Sequence, residues 1–295
     1  YHLADTPDVQ AGMAFLVEHL PPQVHLTIGT RADPALPLAR LRGRGELVEV
    51  RAGDLRMTDE EVTAYVADLE LADRDVAALA HRTEGWVVAL QLAALSLRGR
   101  DDPAAFVAAF AGDDRYVVDY LVEEVLDRQP ADVRRFLLAT SVLDRLTGPL
   151  CAAVTGDDAA QQVLERLERQ NLFVVPLDAG RRTYRYHHLF ADVLRARLLA
   201  ERGGQVAELH HRAAEAYAAA GEPVPAVHHA LAAGDHDRAA DLMTAALPVL
   251  QRNRQETVIA GWADLLPDDV VHARPDLAVG LVGGLMSSNR FDGVA

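Results

Sequence analysis

Between residues 171 and 199 the hydrophobic period of the chain changes abruptly, and few folds accommodate the change. Leu172, Phe173, Val174 and Val175 form a short apolar run suited to a strand. Asp178-Ala179-Gly180 supplies turn chemistry, and Tyr184 and Tyr186 alternate with Arg185 as in a returning strand. From His187 onward the period becomes helical: Leu189, Phe190, Val193, Leu194, Arg197 and Leu198 recur at three-to-four spacing. Short helices are expected before the hairpin at 116–128, 131–140, 147–154 and 158–170. Helices feeding a β-hairpin that runs directly into a further helix make a winged-helix unit, with bounds 113–202. His187 and His188 sit at the hairpin–helix junction, where a side chain can project towards a neighbouring domain.

The rest of the chain reads as mainly α. Half of its 295 residues are hydrophobic but aromatics are scarce, a mix that favours helices packed on helices. Residues 7–20 read as a helix with Pro7 in its first turn, stopped by Pro21-Pro22. Residues 24–30 and 46–50 read as strands, with a short helix at 38–44 between them. Together, 1–57 suggests the C-terminal part of an α/β nucleotide domain, with Arg31 at the carboxyl end of a strand, the edge where ligands bind in such sheets. Thr58 and Glu61 have the spacing of a capping box and open a helical lid over 58–112. Within it, 87–97 is apolar all round and should be the buried central helix of a small bundle. From 203 to 295 only helices are expected, at 206–220, 223–233, 236–251, 257–265 and 275–293. Turns such as Ala220-Gly221 separate them, as at the start of a TPR-like α-solenoid.

Composition narrows the function. The net charge of -15 disfavours a broad nucleic-acid surface. The helix at 158–170, which would read DNA in a winged helix, carries more acidic than basic side chains. There is no lysine: all 29 basic side chains are Arg, so no P-loop Gly-x-x-x-x-Gly-Lys-Ser/Thr run exists. The single Cys151 rules out an intrachain disulfide and reads as a core residue. Three adjacent His pairs, at 187–188, 210–211 and 228–229, lack the spacing of metal ligands, and no metal is expected. No Ser/His/Asp or paired-carboxylate arrangement points to an enzyme. No stretch reaches the roughly 20 apolar residues of a membrane span, so a cytoplasmic protein is expected.

Several motifs, in order, resemble one family. They are Tyr1-His2-Leu3, Thr30-Arg31-Ala32-Asp33-Pro34, Thr83-Glu84-Gly85-Trp86, Leu90-Gln91-Leu92-Ala93-Ala94, Tyr184-Arg185-Tyr186-His187-His188-Leu189-Phe190 and His228-His229-Ala230-Leu231. They are similar to MalT-type regulators, the large ATP-binding LuxR-family transcriptional activators of the STAND class. The resemblance implies an internal fragment, with Walker motifs upstream of Tyr1 and, beyond Ala295, more solenoid and a LuxR-type helix-turn-helix. It implies that Arg31 is a sensor arginine facing the γ-phosphate; a surface Arg in a loop-capping salt bridge is the alternative. It implies that His187 reaches the β-phosphate of ADP in the resting state; a polar residue capping the helix is the alternative. Gly85 falls where the class carries a Gly-x-Pro contact near adenine, although Val87 stands in place of the Pro; here the alternative is a buried helix start.

The resulting expectation is a central signalling segment of an ATP-dependent regulator. Its cofactor would be ATP or ADP with Mg in the intact protein, none bound tightly by this segment alone. An inducer would bind the solenoid, self-association would accompany ATP binding, and DNA would be reached only through the C-terminal domain. The alternative is a non-catalytic helical scaffold whose acidic surface binds protein partners.

Overall fold

A computed structural model describes residues 6–30, 33–69, 71–98, 102–110 and 115–288. The chain is mainly helical and divides into two compact units, Tyr1–Pro130 with Gln162–Val193, and Ala131–Gln161 with Leu194–Ala295.

In the first unit the helix starts follow their caps. Pro7–Glu18 begins after Thr6, whose hydroxyl accepts from the Val9 amide. Asp59–Tyr65 begins with the full capping box: Thr58 Oγ1 accepts from Glu61 N at 3.2 Å and Glu61 returns the bond to Thr58 N at 2.9 Å. Asp73–Thr83 and Val87–Leu97 follow, joined by the turn at Glu84 and Gly85. Asp102 caps Pro103–Ala109. The helix expected at 116–128 is Arg115–Leu121 followed by a π-turn over Val122–Leu126, closed by Asp127 N to Val122 O at 2.8 Å. The wider turn buries Val122, Val125 and Leu126 together.

Two expectations for this unit need correction. Residues 24–30 and 46–50 form no strand among the described residues. A strand of a parallel sheet needs a neighbouring strand for its backbone groups, and among the described residues neither segment belongs to a sheet, so Val24, Leu26, Val48 and Val50 are exposed. Ion pairs of Arg42 with Glu49, and of Arg51 with Glu49 and Asp33, tie this region instead. The Val87–Leu97 helix is also not buried all round. Ala89, Leu90, Ala93, Ala94 and Leu97 make one packed stripe, leaving Leu95 half exposed.

The hairpin belongs to this unit. Strands Val174–Pro176 and Thr183–Tyr186 pair antiparallel, with Val174 opposite Tyr186 and Pro176 opposite Tyr184. Asp178 closes the turn by accepting from the Arg182 and Thr183 amides at 3.2 and 2.6 Å. The strand starts two residues later than the apolar run suggests, because Phe173 adopts φ +56°. His187 N then donates to Phe173 O at 2.8 Å, and the helix His188–Arg202 departs.

The second unit is helical from Ala131–Thr140 through Gly148–Thr155 to Val206–Ala219, Pro223–Ala232, His236–Arg252, Glu256–Trp262, Asp268–His272 and Pro275–Ser287. Small side chains set the contact distances: Ala213, Ala214, Ala226, Ala230, Ala239 and Ala240 are all buried. Pro275–Ser287 lies close enough to its neighbours that a Cβ on Gly280 would sit 2.3 Å from Leu247 Cδ1, and one on Gly284 2.7 Å from Ile259 Cγ2. Cys151 is buried, and burial pushes its thiol up to about 12, consistent with an inert core residue.

His210 and His229 join two helices of this unit through a Nδ1 to Nδ1 hydrogen bond of 2.8 Å, with Tyr217 stacked on His229. One ring must donate and the other accept, so at most one of the two can be protonated while the bond holds. Burial lowers His229 to about 4 and lowers His210 as well. Both unfolded rings titrate near 6.5, so this stability is whole above that pH and is lost as pH falls towards 4. Denaturant unfolding followed by Trp262 fluorescence in a Trp86→Phe background is expected to lose about 1.4 kcal/mol per pH unit from His229 in that window, with His210 adding in the same direction. His229→Asn should flatten part of the slope.

Candidate functional site

The C-terminal end of the Asp73–Thr83 helix and the hairpin–helix junction meet within the first unit. Thr83 is buried, and its hydroxyl returns to Leu79 O at 2.8 Å. Glu84 and Gly85 then both take left-handed backbone, φ +49° and +70°, which reverses the chain so that Trp86 N reaches Thr83 O. Gly85 O accepts from Met57 N at 2.9 Å. A Cβ on Gly85 would lie 2.3 Å from Met57 O, so only glycine fits the turn.

The turn aims the Glu84 carboxylate at the start of the His188–Arg202 helix. Arg185 of the hairpin grips it as a fork at 2.7 and 2.9 Å, and Arg56 adds a third contact at 3.0 Å. The His188 amide, the first of its helix, donates to it at 3.1 Å, so Glu84 also caps that helix across 104 residues of sequence. The His188 ring lies 3.4 Å from the same carboxylate and stacks on His81. Burial pushes the Glu84 carboxyl up, but the Arg185 fork, His187 and the His188 amide outweigh it and hold the group well below the usual carboxylate range.

His187 is buried beside this hub. Its Nε2 donates to the Thr83 carbonyl at 3.0 Å and lies 4.0 Å from Glu84 Oε1. Trp86 and Phe173 present edges to the imidazole at 6.0 and 5.8 Å, and Trp86 and Phe173 contact each other at 4.9 Å. These aromatic contacts hold Phe173 in the left-handed conformation that a bulky residue rarely adopts. Burial lowers the imidazole to about 4, against the opposing pull of Glu84 and the Thr83 carbonyl, so the ring is neutral. Its Nδ1 is buried and has no hydrogen-bond partner among the described residues.

Of the three residues singled out from the sequence, Gly85 and His187 therefore converge on one turn, while Arg31 lies outside the described residues. His187 directly precedes the His188–Arg202 helix and its carbonyl accepts that helix's first backbone bond, from Ala191 N, while the side-chain cap comes from Glu84. Gly85 fills its alternative role as a structural turn ahead of a helix. Sequence reasoning missed Glu84. Its position after a helix and before glycine marked a turn, but no local pattern pairs it with Arg185, far along the chain.

Comparison with known proteins adds the family. Residues 122–206 match the model of the MalT winged helix domain. Over this segment the chain is similar to the winged helix of MalT. The similarity extends over all of the chain: it is 36% identical over 299 aligned residues to the HTH-type transcriptional regulator MalT of Yersinia pestis (strain Pestoides F). It is also 36% identical over 284 residues, 95% of the chain, to MalT of Yersinia enterocolitica serotype O:8. The chain spans about a third of the length of these relatives, 33% and 32% respectively. No helix among the described residues is long and apolar enough to cross a membrane.

Proposed function

We propose that this chain is the central signalling segment of an ATP-dependent transcriptional regulator of the LuxR family, and that His187 is its contact to the phosphate of a bound adenine nucleotide. The observation that carries this reading is the unpartnered, buried Nδ1 of His187 beside a fully bonded carboxylate. A buried nitrogen left without a partner costs free energy, and a ligand that bonded it would recover that cost. A phosphate would be attracted to this junction, because the surrounding Arg56 and Arg185 add positive charge that one carboxylate does not balance. In this reading His187 and Arg31 face the phosphates of ATP or ADP with Mg, and Gly85 shapes the turn that carries Trp86 and Glu84. The nucleotide would supply an anion whose presence favours the closed junction.

The wing then has no need to read DNA. Glu168, on the helix that would enter a groove, is turned towards the hairpin, where Tyr184 donates to it at 3.2 Å and Arg181 pairs with it at 3.3 Å. DNA would be bound by a separate helix-turn-helix, an inducer by the helices from residue 203 onward, and self-association would accompany the ATP state in the cytoplasm.

Titration of the natural full-length protein with ADP tests the assignment. His187→Ala is expected to weaken ADP binding at least about tenfold, the worth of one charge-assisted hydrogen bond, and to give partial activity without inducer. Equal affinity and equal basal activity would overturn it. A wild-type protein that binds no adenine nucleotide would favour the helical scaffold that binds protein partners.

A further inference from the structure

We infer that nucleotide binding at this junction takes up one proton onto His187, and that Glu84 is the positioning residue that holds the protonated ring; the inference rests on the nucleotide reading above. The Thr83 carbonyl can only accept, so the His187 Nε2 that lies 3.0 Å from it carries the hydrogen. In a neutral ring Nδ1 is then a bare lone pair, an acceptor. The oxygens of an ionised phosphate are acceptors too, and two acceptors make no hydrogen bond. If the Thr83 bond persists, a proton from solvent must add to Nδ1 before the ring can donate to phosphate. Only the proton moves: an Nδ1–H bond forms, the O–H bond of hydronium or the bond to the proton in a buffer acid breaks, and imidazole becomes imidazolium.

The charges around the ring make this uptake conditional on the ligand. Facing it are Glu84 from the end of the Asp73–Thr83 helix, Arg56 from the segment before Asp59–Tyr65, Arg185 from the hairpin and His188 from the following helix, with His81 stacked on His188. Glu84 is the one anion in this set, and it is already shared by two guanidinium groups. A third positive charge is therefore disfavoured until an anion arrives, and this adds to the burial that mainly holds the free ring low. When phosphate supplies that anion, the carboxylate fixed 4.0 Å from Nε2 is placed to stabilise the imidazolium.

The test uses the natural full-length protein and ADP. Isothermal titration at pH 7.5 in two buffers of different ionisation enthalpy reads the protons taken up per ADP. The wild type is expected to take up close to one more than His187→Asn, whose amide nitrogen stands near the Nδ1 position as a donor that cannot titrate; the difference removes protonation of ADP itself. The wild-type Kd should rise about tenfold per pH unit between the free and bound pKa of the ring, whereas the Asn variant lacks this dependence. Glu84→Gln keeps acceptor capacity without the charge, and is expected to move the pH dependence about one unit lower and weaken ADP about tenfold at pH 7.5. Titration of the His187 ring by NMR in each protein gives a readout that a merely structural role for Glu84 would not move. Binding through His187 with no proton uptake overturns the inference alone, because the ring must then exchange tautomers and release Thr83. An unshifted pH profile in Glu84→Gln removes Glu84 from the account. A wild type that binds no ADP overturns the nucleotide reading and this inference with it.

Discussion

Gly85→Ala is expected to destabilise the first unit by about 3 kcal/mol, from two separable costs. An Ala at φ +70° carries the left-handed penalty of about 1–2 kcal/mol. The remainder comes from sterics: the new Cβ would lie 2.3 Å from Met57 O and 2.9 Å from Met57 N, backbone atoms that cannot swing away like a side chain. Met57 must move, and its amide loses Gly85 O, a bond worth about 1 kcal/mol. Gly45 is the control in the same unit. Its φ is +69° but nothing lies within 4 Å of its Cβ position, so Gly45→Ala should show the conformational cost alone. Trp86 follows the turn, so denaturant unfolding read by fluorescence in a Trp262→Phe background measures both variants. Equal losses at the two sites would remove the close approach to Met57 from the explanation, and leave Gly85 important through its torsion angle alone.

What the sequence revealed of the fold, and what it hid, divides by the range of the interactions. Helix starts were legible because caps are local: Thr58 and Glu61 are three residues apart, and their reciprocal bonds form as the spacing predicts. The hairpin was legible from Asp178-Ala179-Gly180 and the Tyr184–Tyr186 alternation, and only its first residue shifted, because Phe173 packs on Trp86 far away in sequence. The strands at 24–30 and 46–50 failed for the complementary reason. Their apolar runs state a preference for a sheet, but a strand exists only where partners complete its hydrogen bonds. The site was half legible. A histidine pair at a change of period drew attention to His187, yet no periodicity marks Thr83 or Glu84 as its neighbours. Their identity comes from tertiary contacts spanning about a third of the chain.

Glu84→Ala is expected to cost about 3 kcal/mol, at the low end of what breaking a buried ion pair removes. The carboxylate is nearly buried, at 8% exposure, whereas Arg185 is 26% exposed, so water can partly satisfy the guanidinium left behind. Arg56, at 38% exposure, should contribute little. The loss of the acceptor for the His188 amide adds a capping term of about 1 kcal/mol. The pH dependence has a definite sign. Glu84 is held below its ordinary value in the fold, so its contribution is present above about pH 4.5, where the unfolded carboxyl ionises, and fades as pH falls below it. The gap between wild type and Glu84→Ala should therefore narrow below that pH, while the wild type also weakens from about 6.5 downward as neutral, buried His187 becomes costly to keep. A double-mutant cycle with Arg185→Met separates the pair from the cap. If the fork dominates, the double variant should lose clearly less than the sum of the singles, because neither charge is then left buried without its partner. Additive losses would assign the stability to helix capping by Glu84, and reduce Arg185 to a surface contact of the wing.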